Sequence, residues 1–285
     1  MSHSIHSIIL GILITASTCF AVVLDRLTFR WSDINTREVT EWVGDTAHVR
    51  QGSSMTELTC KIVVDPSDVE FAISSFGIPS EWTSISYRDE AELEQKQQQL
   101  RERASTLGIK MLSEGNKFIV DYDWVVGHSV RDLIDVSRTI RKTARINGYR
   151  SRREIIGAFA SFAQTLEYRI PPDHRINDEG EKILTAGAMM PLETLTKRWG
   201  DCDSKSLLFA SLVRSIDLVK VCFIVLDNHL FAAIQITPEQ DDNRIRYKGK
   251  EWVLVELSEA WPLGRIPMDH HNAIVHGQYE VVELE

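Results

Sequence analysis

Gly200-Asp201-Cys202-Asp203-Ser204-Lys205-Ser206, running into Leu207-Leu208-Phe209-Ala210-Ser211-Leu212-Val213-Arg214, is the stretch whose reading decides the fold. Its second half is apolar on nearly every side, the pattern of a helix buried in the middle of a domain. Gly200 and Asp201 break the chain just before it, which places Cys202 at or near the helix N-terminus. Exposed backbone N–H groups and the positive end of the helix dipole stabilise a thiolate there and lower the thiol pKa. Two aspartates and a lysine beside it suit a reactive thiol better than a small buried hydrophobe. Cys202 is therefore the candidate nucleophile.

A nucleophilic thiol needs a base, and the base needs an acceptor to orient it. Downstream, Val219–Leu226 is β-like and apolar, and His229–Ile236 reads as a buried strand with His229 at its entry. A polar loop and a hairpin through Tyr247-Lys248-Gly249-Lys250 then lead into Glu251–Leu257. Glu256 lies inside that otherwise apolar strand, where a carboxylate is costly unless paired or hydrogen-bonded. Antiparallel pairing of neighbouring strands would set it against His229. Each residue alone has an ordinary structural reading; the three together point to acyl-transfer chemistry.

These residues carry a resemblance. Phe162-Ala163-Gln164-Thr165-Leu166-Glu167-Tyr168, Pro191–Leu195, Gly200–Ser206, His229–Ile236 and Trp252–Gly264 resemble the bacterial branch of the transglutaminase-like superfamily, with Gly200–Ser206 the most specific part. The resemblance covers roughly residues 150–266. It implies an α+β, papain-related core in which the cysteine-bearing helix packs on an antiparallel sheet carrying the other two residues. It also implies Cys202 as nucleophile, His229 as general base and acid, and Glu256 as the residue that orients the imidazole. The commonest third member in the superfamily is Asp; Glu256 departs from it by one methylene. Gln164 matches a glutamine of the family's preceding helix and is an oxyanion-donor candidate, the alternative being a side chain facing solvent. The implied reaction is thiol acyl transfer on a protein or peptide substrate, hydrolysis of an amide first and cross-linking to an amine acceptor second. A non-catalytic binding or assembly module on the same fold is the reading from a different class.

The rest of the chain sets the context. Of 285 residues, 43% are hydrophobic and 26% charged, which excludes wholesale disorder and a multi-span membrane protein. A net charge of -9 argues against a dedicated nucleic-acid binder. Residues 1–24 contain no Asp, Glu, Lys or Arg, and Ile8–Leu24 is an apolar run of about 25 Å if helical. It reads as a signal peptide, cleavable after Ala21, or as a short membrane anchor, and either implies an exported or anchored protein in the periplasm or outside the cell.

Residues 25–127 are expected to be a β-rich region, with strands at Leu27–Trp31 and Leu58–Val64 and a turn at Asp65-Pro66-Ser67-Asp68. Leu93, Leu100 and Leu107 mark a helix over 88–107; Lys117–Val126 reads as a strand that Gly127 closes. The transglutaminase-like domain then occupies 128–285. It begins with a helix over Ser129–Thr143 that Asn147-Gly148 ends, and a second helix opened by a capping box at Ser151 and Glu154. Arg138 through Arg153 holds seven basic residues and no acidic one, with Arg138, Arg141 and Arg145 on one stripe. That run reads either as a solvated face or as a docking surface for an anionic envelope.

Cys60 and Cys222 read as buried free thiols, or as a single bridge. No CxxC or HExxH element and no phosphate-cradling glycine loop appears, so no metal or cofactor is expected. Asp269-His270-His271 with His276 reads as a solvated tail, the alternative being a metal-binding cluster, and Asp241-Asp242-Asn243 reads as a turn.

Overall fold

Alternation of apolar and polar residues over Leu27–Trp31 makes Asp25–Asp33 (β1) one wall of a two-stranded ribbon. Thr36–Val43 (β2) and Thr46–Ser53 (β3) pair as its continuation, and Thr56–Val64 (β4) returns antiparallel to β1 with Phe29 opposite Cys60 and Trp31 opposite Leu58. The computed structural model describes residues 24–43, 46–53, 56–112 and 117–285, with the backbone alone for 36–53. The expected leader therefore lies outside the described residues except at Leu24. Among the described residues no helix is long and apolar enough to cross a membrane.

The expected turn after β4 is instead the start of a helix, Pro66–Ser74 (α1). Asp65 caps it by accepting the Ser67 N–H, and Pro66 fills the first helical position, where its missing N–H costs nothing. After Ile78–Pro79 (β5) comes Glu90–Ser105 (α2), two residues shorter at each end than expected; it buries only Leu100 and Ala104. Ile109–Met111 (β6) pairs with Phe118–Val120 (β7). The strand expected to run to Val126 stops there, because Asp121 accepts the Trp124 N–H at 3.2 Å and caps Tyr122–Ser129 (α3). Gly127 thus lies inside a helix. The helix expected from Ser129 begins only at Ile134 and runs to Ile146 (α4).

Arg152–Gln164 (α5) opens with the complete reciprocal capping box of Ser151 and Glu154. The short strands Glu167–Tyr168 (β8), His174–Ile176 (β9) and Lys182–Leu184 (β10) lead to Pro191–Lys197 (α6) and Trp199–Gly200 (β11). Cys202–Arg214 (α7) is the buried helix that the sequence calls for, with all ten residues from Ser204 to Val213 buried.

Beyond α7, Val221–Val225 (β12), Leu230–Ile234 (β13), Arg244–Tyr247 (β14) and Lys250–Val255 (β15) precede Met268–Val275 (α8) and Glu280–Glu283 (β16). The five strands form one antiparallel sheet in the order β14-β15-β13-β12-β16. Phe223, Ala232, Ile234, Val253 and Val255 join the core that contains α7, while Cys222, Ile224, Phe231 and Leu254 pack with Ile266 and with Ala273 and Ile274 of α8. The class is α+β. The segment around His270 is a helix covering the second face of the sheet, not a solvated tail.

The ribbon and the sheet share one core that crosses the expected division at residue 127. Phe29 and Trp31 meet Phe162 of α5 with ring centroids at 5.0 and 5.2 Å, and the Trp31 indole N–H donates to Ala158 O at 3.1 Å. Cys60 and Cys222 are free, buried thiols on different sheets. Arg138, Arg141 and Arg145 are exposed on α4, with Arg138 paired to Asp135. Arg152 donates to Leu218 O, however, and Arg153 forms a two-pronged pair with Asp242 at 2.9 and 2.7 Å. The Asp242 side chain is thus a buried ion-pair partner rather than a solvated turn residue, and the last two arginines of the basic run are tied to the fold by hydrogen bonds.

Candidate active site

Asp201 caps α7 by accepting the Ser204 N–H at 2.9 Å, which makes Cys202 the first helical residue. Gly200 is required ahead of it: a Cβ there would sit 2.9 Å from Ser204 Cβ and 3.2 Å from Thr194 Cγ2. The half-buried Cys202 S–H donates to Asp203 Oδ1 at 3.4 Å, and the backbone N–H of Leu230, at the start of β13, favours its thiolate. The other oxygen of Asp203 accepts the Tyr122 O–H at 2.7 Å.

This setting reverses the expectation of a lowered thiol pKa. Burial first, then the Asp203 and Asp201 charges, push the Cys202 thiol up to about 12, against the opposing pull of the Leu230 N–H. Burial and the two neighbouring carboxylates act in the same direction, so the resting group is the neutral thiol.

His229 immediately precedes β13, against which α7 packs. Across the sheet, the register Ala232–Val255 carries on to place Glu256 opposite Phe231, on the face that His229 shares. His229 Nε2 lies 2.8 Å from Glu256 Oε2. A carboxylate only accepts, so the proton sits on Nε2 and the lone pair on Nδ1. Glu256 is 1% exposed, and its Oε1 accepts both the N–H and the O–H of Ser258 at 2.6 Å. Burial raises the Glu256 pKa, but the His229 hydrogen bond and charge, followed by the two Ser258 donors, hold it below the usual carboxylate range.

Gln164 comes to the site in a different role from the one expected. Its side-chain nitrogen donates to Glu256 O at 2.8 Å and to Trp261 O at 2.7 Å, so both amide hydrogens are spent on carbonyls. It pins the loop after β15 to the end of α5 and has no N–H left for an oxyanion. Asn35 secures the same loop further on: its Oδ1 accepts the Leu263 N–H at 2.8 Å, while its Nδ2 donates to Asp33 and Ser161.

Two side chains enter the site without having been assigned a role from sequence. Lys205 is fully buried and donates to Gln164 O at 3.3 Å and Ser258 O at 3.1 Å, joining α5, α7 and the Glu256 loop. Burial pushes its ammonium down to about 8, against the attraction of Glu256 and Glu259. Its signal was partial: Lys205 sits among Asp203, Ser204 and Ser206, and only the apolar run from Leu207 onward shows that the helix is buried. His270 of α8 stacks on His229 at 4.4 Å between centroids and 14° between planes, and nothing local to its sequence marks it.

His229, Glu256 and His270 each offer a ligand atom within 4.8 Å of the others, as do Asp201, Cys202 and Asp203. The first set is a poor cage, because lone pairs in two nearly parallel ring planes do not converge on one ion. Compared with protein-family profiles and with curated proteins, the chain matches none.

Proposed function

We propose that Cys202, His229 and Glu256 form the catalytic triad of a transglutaminase-like thiol acyl-transfer enzyme that hydrolyses peptide or amide bonds. The observation that carries this reading is the buried His229–Glu256 pair at 2.8 Å at the entry of β13, the strand against which the Cys202-bearing helix α7 packs. Because the thiol rests neutral, attack and deprotonation are coupled: sulfur bonds to the amide carbonyl carbon as its proton passes to His229 Nδ1. The imidazolium so formed is balanced by the ionised Glu256. His229 then gives that proton to the departing amine as the C–N bond breaks, leaving a thioester on Cys202. Water, losing its proton to His229, cleaves the thioester to a carboxylic acid and restores the thiol. In place of Gln164, the backbone N–H of Cys202 at the opening of α7 would serve as donor to the developing oxyanion.

One observation favours cross-linking as the second reading. Asp201 and Asp203 flank the thiol, and their charge attracts a protonated amine acceptor. The apolar start of the chain supports export or anchoring, and the exposed Arg138, Arg141 and Arg145 support docking to an anionic envelope surface. The test of the triad is a panel of peptide, glutamine-containing and cell-wall-derived amides, with and without a primary amine, run on wild type and Cys202→Ala. Release of amine by wild type alone is expected. Equal turnover by both proteins, or none by either with Cys202 inert to iodoacetamide, overturns the reading.

A further inference from the structure

The His270 ring lies face to face with the imidazole of His229, 4.4 Å away and tilted by only 14°. Phe231 closes the arrangement, its ring centroid 4.5 Å from that of His229 and 5.4 Å from that of His270. His229 is thus held in its plane by Glu256 at Nε2 and by two rings, one on its face and one in T-shaped contact. Glu256 alone fixes one edge of the imidazole and leaves rotation about that hydrogen bond open; a flat ring against the face removes that freedom. The second feature of His270 is chemical. It is the one member of this stack besides His229 that can become a cation, and its buried Nδ1 has no hydrogen-bond partner among the described residues.

We propose that His270 is a positioning residue for His229 that works only while neutral: its ring holds the base in plane with the thiol, and its protonation shuts the site on the acid side. The inference rests on the reading of His229 as the base. Acyl transfer creates an imidazolium on His229, and a second cation 4.4 Å above it opposes that step directly. The groups facing His270 are His229 and Phe231 at β13, Glu256 beyond β15, and Asp269 beside it on α8. Burial, then the His229 charge, hold the His270 pKa below the ordinary imidazole value, with Glu256 and Asp269 pulling the other way. Near neutral pH the stack is uncharged on the His270 side and the site is open. As pH falls through that lowered value His270 gains a proton and the site closes.

The experiment compares full-length wild type, His270→Ala, His270→Phe and His229→Gln by the rate of Cys202 alkylation with iodoacetamide from pH 5 to 8, read by peptide mass spectrometry. A ring-current readout from Cε1-labelled histidine runs beside it. His270→Phe keeps the stack but cannot charge: its rate at pH 8 is expected to stay within about twofold of wild type, with a shallower acid limb. His270→Ala is expected to lose about threefold to tenfold at pH 8 and to shift the His229 Cε1–H resonance. If His229→Gln is slow while His270→Ala matches wild type in rate and acid limb, this proposal falls and the triad stands. If His270→Phe keeps the wild-type acid limb, the charge part is overturned. If His229→Gln alkylates at the wild-type rate, the base assignment fails and this proposal fails with it.

Discussion

Replacing Glu256 by Gln changes one atom and should change which nitrogen of His229 carries its proton. Oε1 of Glu256 accepts two donors from Ser258 at 2.6 Å, so the amide oxygen of the substituted side chain would have to stay there. The new amide N–H groups then face His229 Nε2, which must turn acceptor, and the ring proton moves to Nδ1. The lone pair offered to Cys202 is gone. With the thiol pushed up to about 12, very little of it is thiolate at pH 7 without a base. Loss of general-base assistance typically costs about 10²–10⁴-fold, or about 3–5 kcal/mol of barrier. We expect Cys202 alkylation by iodoacetamide at pH 7 to slow by about a hundredfold or more. Histidine nitrogen shifts report the tautomer directly. Folding is checked in urea, and there the sign is set by the lowered Glu256 pKa. Relative to Gln, the carboxylate's stabilisation is present above its ordinary value of 4.5 and is lost as pH falls through its lower folded value. An alkylation rate within threefold of wild type, with His229 in the Nδ1-protonated form, would refute the reasoning.

Buried polar groups carry two further predictions. Lys205 titrates at about 8 in the folded chain against 10.5 when exposed, so the unfolded chain binds more protons between those values and wild-type stability should rise across that window. Lys205→Met should abolish the rise, worth about 3 kcal/mol, in urea unfolding at pH 7.5 and 10.5; a parallel pH dependence in both proteins would count against it. Gly157→Ala places a methyl 2.8 Å from the Asn35 amide, which is itself clamped by Asp33, Ser161 and Leu263. A loss of about 1–3 kcal/mol is expected, together with slower Cys202 alkylation as the Leu263 loop shifts; unchanged unfolding would show that the clamp yields at no cost.

What could be read from the sequence was whatever depends on local chemistry or on period. The apolar surround of Leu207–Val213 marked α7 as a buried helix, and the Gly200-Asp201 break put Cys202 at its first position. Glu256 betrayed itself by its cost: a carboxylate amid Val253, Leu254, Val255 and Leu257 needs a partner, and the nearest strand entry supplied His229. The turn at Asp65 and the long strand to Val126 failed for one reason. Asp65 and Asp121 are helix caps, and a cap and a turn use the same residues with the same backbone-binding side chain.

The thiol pKa went the other way chiefly because Cys202 is buried in the folded chain, with the charges of Asp203 and Asp201 adding to the same side. Gln164 was legible as a residue of the site but not in its partners, which lie 92 and 97 residues further along. His270 was invisible for the same reason of distance: only the return of α8 over the sheet brings it to His229.

The hydrogen bond from Leu263 to Asn35 closes the chain across 228 residues. Its consequence is kinetic. A floor for the Glu256 loop exists only when the first strand of the described chain has already docked on α5, so no sub-fragment from α4 onward can nucleate a finished site on its own. Closing so long a loop adds little to the equilibrium cost, since that cost grows only with the logarithm of length. Long-range pairing of this kind does slow folding, and it makes assembly of the site a late event. Stability of the sheet and competence of the triad should therefore appear at different times during refolding, with the thiol gaining its environment last.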